Sequence, residues 1–271
     1  MTTPASTPAP APLFGFARKP DAAVAVSVVV PMRDEEGGAA GLVAEIAASL
    51  AGFDFEIIAV DDCSRDGTLK ALAGARRSVP QLRVISHGEN AGQSRAIRTG
   101  VIAARGPVIV TLDGDGQNDP ADIPAVINAL TREGASALLA MVAGERRVRL
   151  DTASKKTASR LANAIRRGIL DDGAADTGCG LKAFYREAFL RLPYFDHIHR
   201  YLPALMRREG YEVEFLPVGH RPRAHGQSKY TNWGRLRASF RDLLGVVWLK
   251  ARSRTPATIS ELEPGGDYDT I

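Results

Sequence analysis

The sequence has little of what disulfide-stapled, zinc-clustered or membrane-spanning proteins carry. Its two cysteines, Cys63 and Cys179, stand far apart in 271 residues with no CxxC or Cys/His spacing. That pattern suggests neither a disulfide framework nor a structural zinc, and reads as free thiols of a reducing compartment. No apolar run approaches the roughly 18 to 20 residues a bilayer span requires; the longest are 24–30 and 243–249. The opening stretch MTTPASTPAPAP lacks a basic start and is broken by prolines, so no signal peptide is expected. Residues 1–22 are expected to form a disordered Pro/Ala/Thr tail. The formal charge of +4 is mild and gives no reason to expect a nucleic-acid partner.

What is present is enough apolar residue for a proper core, 45% of the chain, in one large α/β domain or two small ones. From Val24, short β-branched runs alternate with longer amphipathic stretches, the pattern of a parallel sheet with crossover helices. Strands are expected at Val24–Val30, Phe55–Val60, Leu82–Ile85 and Val108–Leu112, and helices at Gly41–Leu50, Thr68–Arg76 and Gln93–Ala104. Pro31 is expected to close the first strand, Asp66-Gly67 to open a helix, and Asp119-Pro120 to start another. The second half is less regular, with a basic helix Ser154–Leu170, a strand Leu181–Tyr185, a helix Tyr201–Glu209 and a strand Tyr211–Leu216. Polar clusters then fall at the carboxyl ends of strands, where open α/β sheets bind ligands.

The sharpest of these clusters is Thr111-Leu112-Asp113-Gly114-Asp115-Gly116-Gln117. Two carboxylates one residue apart repel unless a cation sits between them, and Mg²⁺ or Mn²⁺ takes oxygen ligands while keeping positions open for phosphate oxygens. Asp113, Asp115 and the neutral oxygen of Gln117 are therefore the candidate metal ligands. By itself such a turn is more often simply solvated, since Asp and Gly favour turns. Its company at the other strand ends decides the reading: Val30-Pro31-Met32-Arg33-Asp34-Glu35-Glu36, Val60-Asp61-Asp62-Cys63-Ser64-Arg65-Asp66-Gly67-Thr68 and Asn90-Ala91-Gly92-Gln93-Ser94-Arg95-Ala96.

In order and position these four segments resemble glycosyltransferase family 2, whose usual forms are VVPxYNEE, VDDxSxDGT, NxGxxxA and DxDxQxxP. The match runs from about Val26 to Tyr230 and is nearest to the dolichyl-phosphate mannose synthases and bacterial polyprenyl-phosphate sugar synthases. The resemblance implies a GT-A fold, a mostly parallel Rossmann-like sheet with flanking helices. It also implies a GDP- or UDP-sugar donor held by Pro31, Arg33, Glu35, Asp61, Asp62, Asn90, Gly92 and Asp113. Arg33 stands where the family has an aromatic residue and Asp34 where it has Asn, which leaves the choice of nucleotide open.

Downstream, Asp176-Thr177-Gly178-Cys179-Gly180-Leu181-Lys182 resembles the family's DxGxGxK block, and Arg221-Pro222-Arg223-Ala224-His225-Gly226-Gln227-Ser228-Lys229-Tyr230 its RxxGxSKY element. By position the acceptor-phosphate residues implied are Arg146, Lys155, Ser159, Arg223, Ser228 and Lys229, and a Gly-interrupted basic loop suits phosphate because Arg grips its oxygens in a fork. Asp113, Asp115 and Arg223 are the residues expected to carry catalysis. A phosphate acceptor explains the lack of an evident general base: a phosphate monoester, with a second pKa of about 6, is already a nucleophilic dianion at neutral pH. The expected chemistry is inverting transfer to a polyprenyl phosphate. His197 and His199 are candidates for positioning the sugar, although such histidines more often serve a loop or the core.

Between Lys229 and Arg254 stand seven cations against one anion, Asp242. Trp233, Leu236, Phe240, Leu243, Leu244, Val247 and Trp248 recur there at three- and four-residue spacing. That is a basic amphipathic helix, either an in-plane anchor on anionic membrane or a helix packed on the domain. The expected organisation is a catalytic domain 23–231, the helix 232–254 and an acidic disordered tail 255–271, peripheral to the cytoplasmic membrane face. Two other readings compete: a family 2 transferase acting on a saccharide hydroxyl, with Asp176 as general base, and a non-catalytic nucleotide-sugar-binding protein.

Overall fold

The computed structural model describes residues 24–146, 168–174, 176–222 and 232–254, the side chains of 232–240 excepted. Lys155, Ser159, Arg223, Ser228, Lys229, both expected tails and most of the basic helix Ser154–Leu170 lie outside the described residues.

Seven strands form one sheet: β1 (Val26–Met32), β2 (Phe55–Asp61), β3 (Leu82–Ser86), β4 (Val108–Thr111), β5 (Leu139–Arg146), β6 (Lys182–Tyr185) and β7 (Glu212–Val218). Their order is β3-β2-β1-β4-β6-β5-β7, parallel except where β6 runs antiparallel to β4 and β5. The described helices are α1 (Ala39–Ser49), α2 (Thr68–Ala75), α3 (Gln93–Ala103), α4 (Ile123–Thr131), α5 (Arg186–Arg191), α6 (Leu202–Arg208) and α7 (Asn232–Ala251).

Alternation along β1 explains the layering. Val26, Val28 and Val30 pack with Leu42, Val43 and Ile46 of α1 and with Ile123 and Val126 of α4 on one face. Val29 joins Ile97 and Val101 of α3, Phe189 of α5, Leu205 of α6 and Val246 of α7 on the other. Gly100 in mid-α3 allows the closest approach, since a Cβ there would stand 2.3 Å from Val29 Cγ1. The helix tolerates a glycine that costs about 1 kcal/mol against alanine because nothing larger fits.

Two sequence expectations are corrected. Pro31 does not close the first strand, which runs on to Met32, paired with Asp61. Asp62 N–H donates to the carbonyl of Met32 on the β2 side, so the neighbouring Pro31 turns its missing donor toward β4, whose pairing has already ended at Val29 and Thr111. No ladder bond is lost. The second correction is β5, absent from the expected strands. Its sequence LAMVAGER is rich in helix formers, yet it lies between β6 and β7 with its first six residues buried, and tertiary burial overrides weak propensity.

Parallel register from Val26–Phe55 to Met32–Asp61 and from Ile57–Leu82 to Asp61–Ser86 brings the carboxyl ends of β1, β2 and β3 into line. Chain order reverses between β1 and β4, the kind of place at which open α/β sheets bind ligands.

Candidate active site

The loops leaving β1 and β2 are zipped together. Asp34 N–H donates to Ser64 Oγ at 2.9 Å, Arg65 N–H to Asp34 Oδ1 at 2.6 Å, and Gly67 N–H to Glu36 Oε2 at 3.1 Å. Asp34 has φ of +49°, a left-handed conformation that Asn and Asp adopt more readily than other side chains. The Asp at a position where the resembling family has Asn therefore keeps the backbone. Glu35 contributes main chain here, its N–H to Thr68 Oγ1 at 2.8 Å and its carbonyl to Ala39 N–H at 2.9 Å. Arg33 lies beside Asp34, 3.9 Å from its carboxylate, with its side chain 36% exposed.

Asp61 and Asp62, expected as a pair, do different work. Asp62 is buried and clamps the loop after β3: it accepts from Ala91 N and Gly92 N, both at 2.8 Å, from Asn90 Nδ2, and pairs with His87 Nδ1 at 2.8 Å. Burial pushes its pKa up, but these bonds outweigh it and hold the carboxyl below its ordinary value. Asn90 and Gly92 are thus drawn onto Asp62, and Gly92 supplies the φ of +87° that turns the chain into α3. Asp61 is fully buried. Its Oδ2 accepts from Ser64 N at 3.2 Å and Ser86 Oγ at 3.4 Å, while Oδ1 has no partner among the described residues.

Past β4, the carboxylate turn is held from both sides. Asp113 N–H donates to Asn118 Oδ1 at 3.1 Å and Gln117 N–H to Asp115 Oδ1 at 3.1 Å. Gln93, the first residue of α3, donates from Nε2 to Asp113 Oδ1 at 2.7 Å. Gly180 lies directly against the Asp113 carboxyl, where a Cβ would meet its three atoms at 2.5 to 2.7 Å. Thr111 Oγ1 fixes that strand with a 3.0 Å bond to the Gly180 carbonyl. Burial first, then repulsion from Asp115, pushes the Asp113 carboxyl up to about 6.

Compensating cations come from β6 and from the end of β5. Lys182 is 4% exposed on β6, its Nζ bonded to the Cys179 carbonyl, and burial lowers its pKa while the charges of Asp113 and Asp176 oppose that. Arg146, at the end of β5, grips Asp176 in a fork, Nε to Oδ2 at 2.5 Å and Nη2 to Oδ1 at 2.8 Å. Gly178 N–H adds a 3.0 Å bond to the same carboxylate. Two hard carboxylates one residue apart, one destabilised by the other, fit a divalent cation. Among the described residues no third carboxylate, histidine or cysteine completes the set. Asp113, Asp115 and the Gln117 amide would hold the ion together with water and substrate oxygens.

His199 is half-buried and hydrogen-bonded through Nδ1 to Ser94 Oγ on α3 at 2.7 Å; burial, then the charges of Arg200 and Lys182, hold it well below its ordinary pKa. His197, at φ +64°, pairs with Asp242 of α7 at 2.8 Å. Helix α7 packs through Val246, with Leu243, Val247 and Leu249 against the same core. Its other side leaves Leu244 54% and Trp248 60% exposed, with Arg252 over the Trp248 ring at 6.0 Å. Among the described residues no helix is long and apolar enough to cross a membrane.

The structure therefore gathers Pro31, Arg33, Glu35, Asp61, Asp62, Asn90, Gly92, Asp113, Asp115 and Gln117 along the carboxyl edge of β1, β2, β3 and β4, with Arg146 at the end of β5 beyond β6. Sequence reasoning missed Gln93, Asn118, Gly180 and Lys182. Each lay in or beside a recognised segment, but only the bonds of Gln93 and Asn118 to Asp113, the close approach of Gly180 and the charge of Lys182 mark them out.

A profile of the family described as Glycosyl transferase family 2 matches residues 27–192. The chain is 33% identical over 243 residues to a dodecaprenyl-phosphate galacturonate synthase of Rhizobium johnstonii, covering 85% of this chain and 69% of that protein. It is 32% identical over 208 residues to an undecaprenyl-phosphate 4-deoxy-4-formamido-L-arabinose transferase of Aeromonas hydrophila, covering 76% of this chain and 62% of that one. Among solved structures it resembles a glucosyl-3-phosphoglycerate synthase of Mycobacterium tuberculosis, with a TM-score of 0.62 at 20% identity over 84% of this chain and 80% of the other. A mannosyltransferase of Pyrobaculum calidifontis, solved with GDP-Man and Mn²⁺, gives a TM-score of 0.58 at 21% identity over 86% of this chain and 65% of its own. The fold is GT-A.

Proposed function

The chain belongs to glycosyltransferase family 2, and from that premise we propose that it moves a sugar from a nucleoside-diphosphate donor to a polyprenyl phosphate, with inversion at the anomeric carbon. The relatives that support this acceptor are longer than the aligned region, this chain spanning 69% and 62% of their lengths. The observation that carries the reading is the state of Asp176. A hydroxyl acceptor needs a general base, and the carboxylate that sequence offers for that work has both oxygens gripped by Arg146. A phosphate oxygen needs no base: it forms the new bond to the anomeric carbon as the bond to the nucleoside diphosphate breaks. Arg146, oriented by Asp176, would meet the acceptor phosphate with Lys155, Ser159, Arg223, Ser228 and Lys229.

On the donor side Asp61, whose buried Oδ1 has no partner among the described residues, would accept from an imide or ring N–H of the base, with Pro31, Arg33 and Glu35 at the end of the neighbouring β1. Asp113, Asp115 and Gln117 would hold Mg²⁺ or Mn²⁺, which when bound supplies positive charge to the departing diphosphate. The test is transfer from GDP-mannose, UDP-glucose, UDP-GlcNAc and UDP-hexuronic acids to undecaprenyl phosphate. We expect one donor to be consumed only when the lipid phosphate is added, and Arg223→Ala to weaken acceptor use with nucleotide affinity nearly unchanged. Transfer to a free sugar hydroxyl, with none to the lipid phosphate, would establish the hydroxyl-acceptor reading instead.

The acceptor is a lipid, and α7 supplies a surface for reaching it. Trp248 and Leu244 are one helical turn apart and exposed, with Arg241 and Arg252 also at the surface, the composition of a segment lying in a membrane interface. Each cation near an anionic bilayer contributes about 1 kcal/mol, screened by salt. Substitution tests this better than truncation, because the Val246 side of α7 belongs to the core. The unsubstituted chain is expected to float with phosphatidylglycerol liposomes, partly resisting high salt, and Leu244→Ser/Trp248→Ser to lose the salt-resistant fraction. Equal flotation of the two proteins would assign α7 to packing alone.

A further inference from the structure

We propose that Gln93 is the positioning residue of the metal site: its amide takes Oδ1 of Asp113 and leaves Oδ2 as the oxygen available to the cation. The proposal rests on the reading that Asp113 and Asp115 hold a divalent ion. The 2.7 Å bond from Gln93 Nε2 is the one side-chain hydrogen bond to this carboxyl among the described residues. A metal ligand with two equivalent oxygens can rotate or chelate; one whose first oxygen is held presents the second in a fixed direction.

Gln93 is itself held on both sides. The residue before it, Gly92, gives its N–H to Asp62 Oδ2 at 2.8 Å, and the residue after it, Ser94, is bonded to His199 at 2.7 Å. Asp62 also fixes Asn90 and Ala91, so the approach to α3 is tied to the end of β2. A flexible glutamine on an untethered loop would lose rotamer freedom to make this contact, whereas here the main chain that delivers it is already fixed. Asp62 therefore acts through Gln93 on Asp113, a carboxylate of one strand end setting the carboxylate of another. This also accounts for two conspicuous acidic neighbours, Asp61 and Asp62, having unlike surroundings.

The experiment is a Mn²⁺ titration of the full chain followed by the electron paramagnetic resonance signal of the free ion, without donor or acceptor, on wild type, Gln93→Leu and Gln93→Met. Both substitutions keep the side-chain bulk and remove the donor. Losing a hydrogen-bonding partner of a ligand weakens metal binding by about 10–100-fold, so we expect Kd for Mn²⁺ to rise at least about tenfold. In transfer assays the KM for Mn²⁺ should rise alike, with kcat at saturating metal reduced less than about threefold and nucleotide affinity in EDTA unchanged. A purely structural role would instead lower the melting temperature and kcat and leave Mn²⁺ affinity alone. Either variant, folded and binding Mn²⁺ within about twofold of wild type, overturns the role of Gln93. Wild type binding no Mn²⁺ overturns the metal reading itself, so the two failures are distinguishable.

Discussion

Replacing Asp115 by Asn is expected to cut turnover at least about a hundredfold, the scale of losing a principal electrostatic group in an active site. The substitution is chosen because it spares shape. Asp115 Oδ1 accepts the Gln117 N–H at 3.1 Å, and an amide oxygen can accept the same bond, so the turn survives and the charge is lost. Excess EDTA is expected to abolish transfer by the wild-type protein, and Mg²⁺ or Mn²⁺ to restore it. The proton is a competitor for the same site. With the Asp113 carboxyl pushed up to about 6 in the metal-free protein, metal affinity should fall as pH drops below that value, because the ion must then displace a bound proton. In Asp115→Asn one of the two causes of that rise is gone, so Asp113 should titrate lower even as metal binding weakens. Full activity in excess EDTA would end the metal role.

Much of this was legible in the residues, for a physical reason. The first four strands are β-branched and bounded by Pro, Gly and Asp, so β1, β2, β3 and β4 and the helices between them appear within two residues of their expected ends. Local signals and tertiary burial agree there. They disagree at β5, where Leu139, Ala140 and Met141 favour helix and only the neighbours β6 and β7 make a strand. Pro31 misled for the converse reason: a local breaker is harmless where no partner strand remains to receive a donor.

The candidate site was legible as a set of loops at strand ends and not as a set of contacts. Asp61 and Asp62 read alike in sequence, yet one has a buried oxygen with no partner among the described residues and the other holds four groups of its own chain. Arg146 reads as a phosphate ligand, and the structure adds that it is paired with Asp176, 30 positions away. Pairings at such separations depend on the order of strands in the sheet, which no short segment encodes. For α7 the sequence offered two alternatives, membrane anchor or packed helix. The described residues show a packed side and an exposed apolar side on the same helix.

The contact between Gly180 and Asp113 yields the prediction most specific to this structure. Gly180→Ala should lower turnover by about a hundredfold, since a misplacement of order 1 Å at a reacting centre costs about that much. The added methyl group would lie 2.5 Å from Asp113 Cγ and 2.6 and 2.7 Å from its oxygens, far inside van der Waals contact, so something must move. The main chain at Gly180 cannot easily do so: its carbonyl takes the Thr111 hydroxyl at 3.0 Å, and Lys182 two residues on is locked into β6 between β4 and β5. The Asp113 carboxyl is the softer side. It would swing away, break the bond from Gln93 and leave the position from which it would serve a cation. Backbone strain plays no part, because the positive-φ glycines do not include Gly180. The fold should therefore persist, with a melting temperature lowered by only a few degrees, about 1 kcal/mol for a chain of this size, while Mn²⁺ affinity and turnover fall together. A Gly180→Ala protein that turns over within about threefold of wild type would mean that the Asp113 carboxyl is free to shift without loss, and that its position against Gly180 is not the one in which it acts.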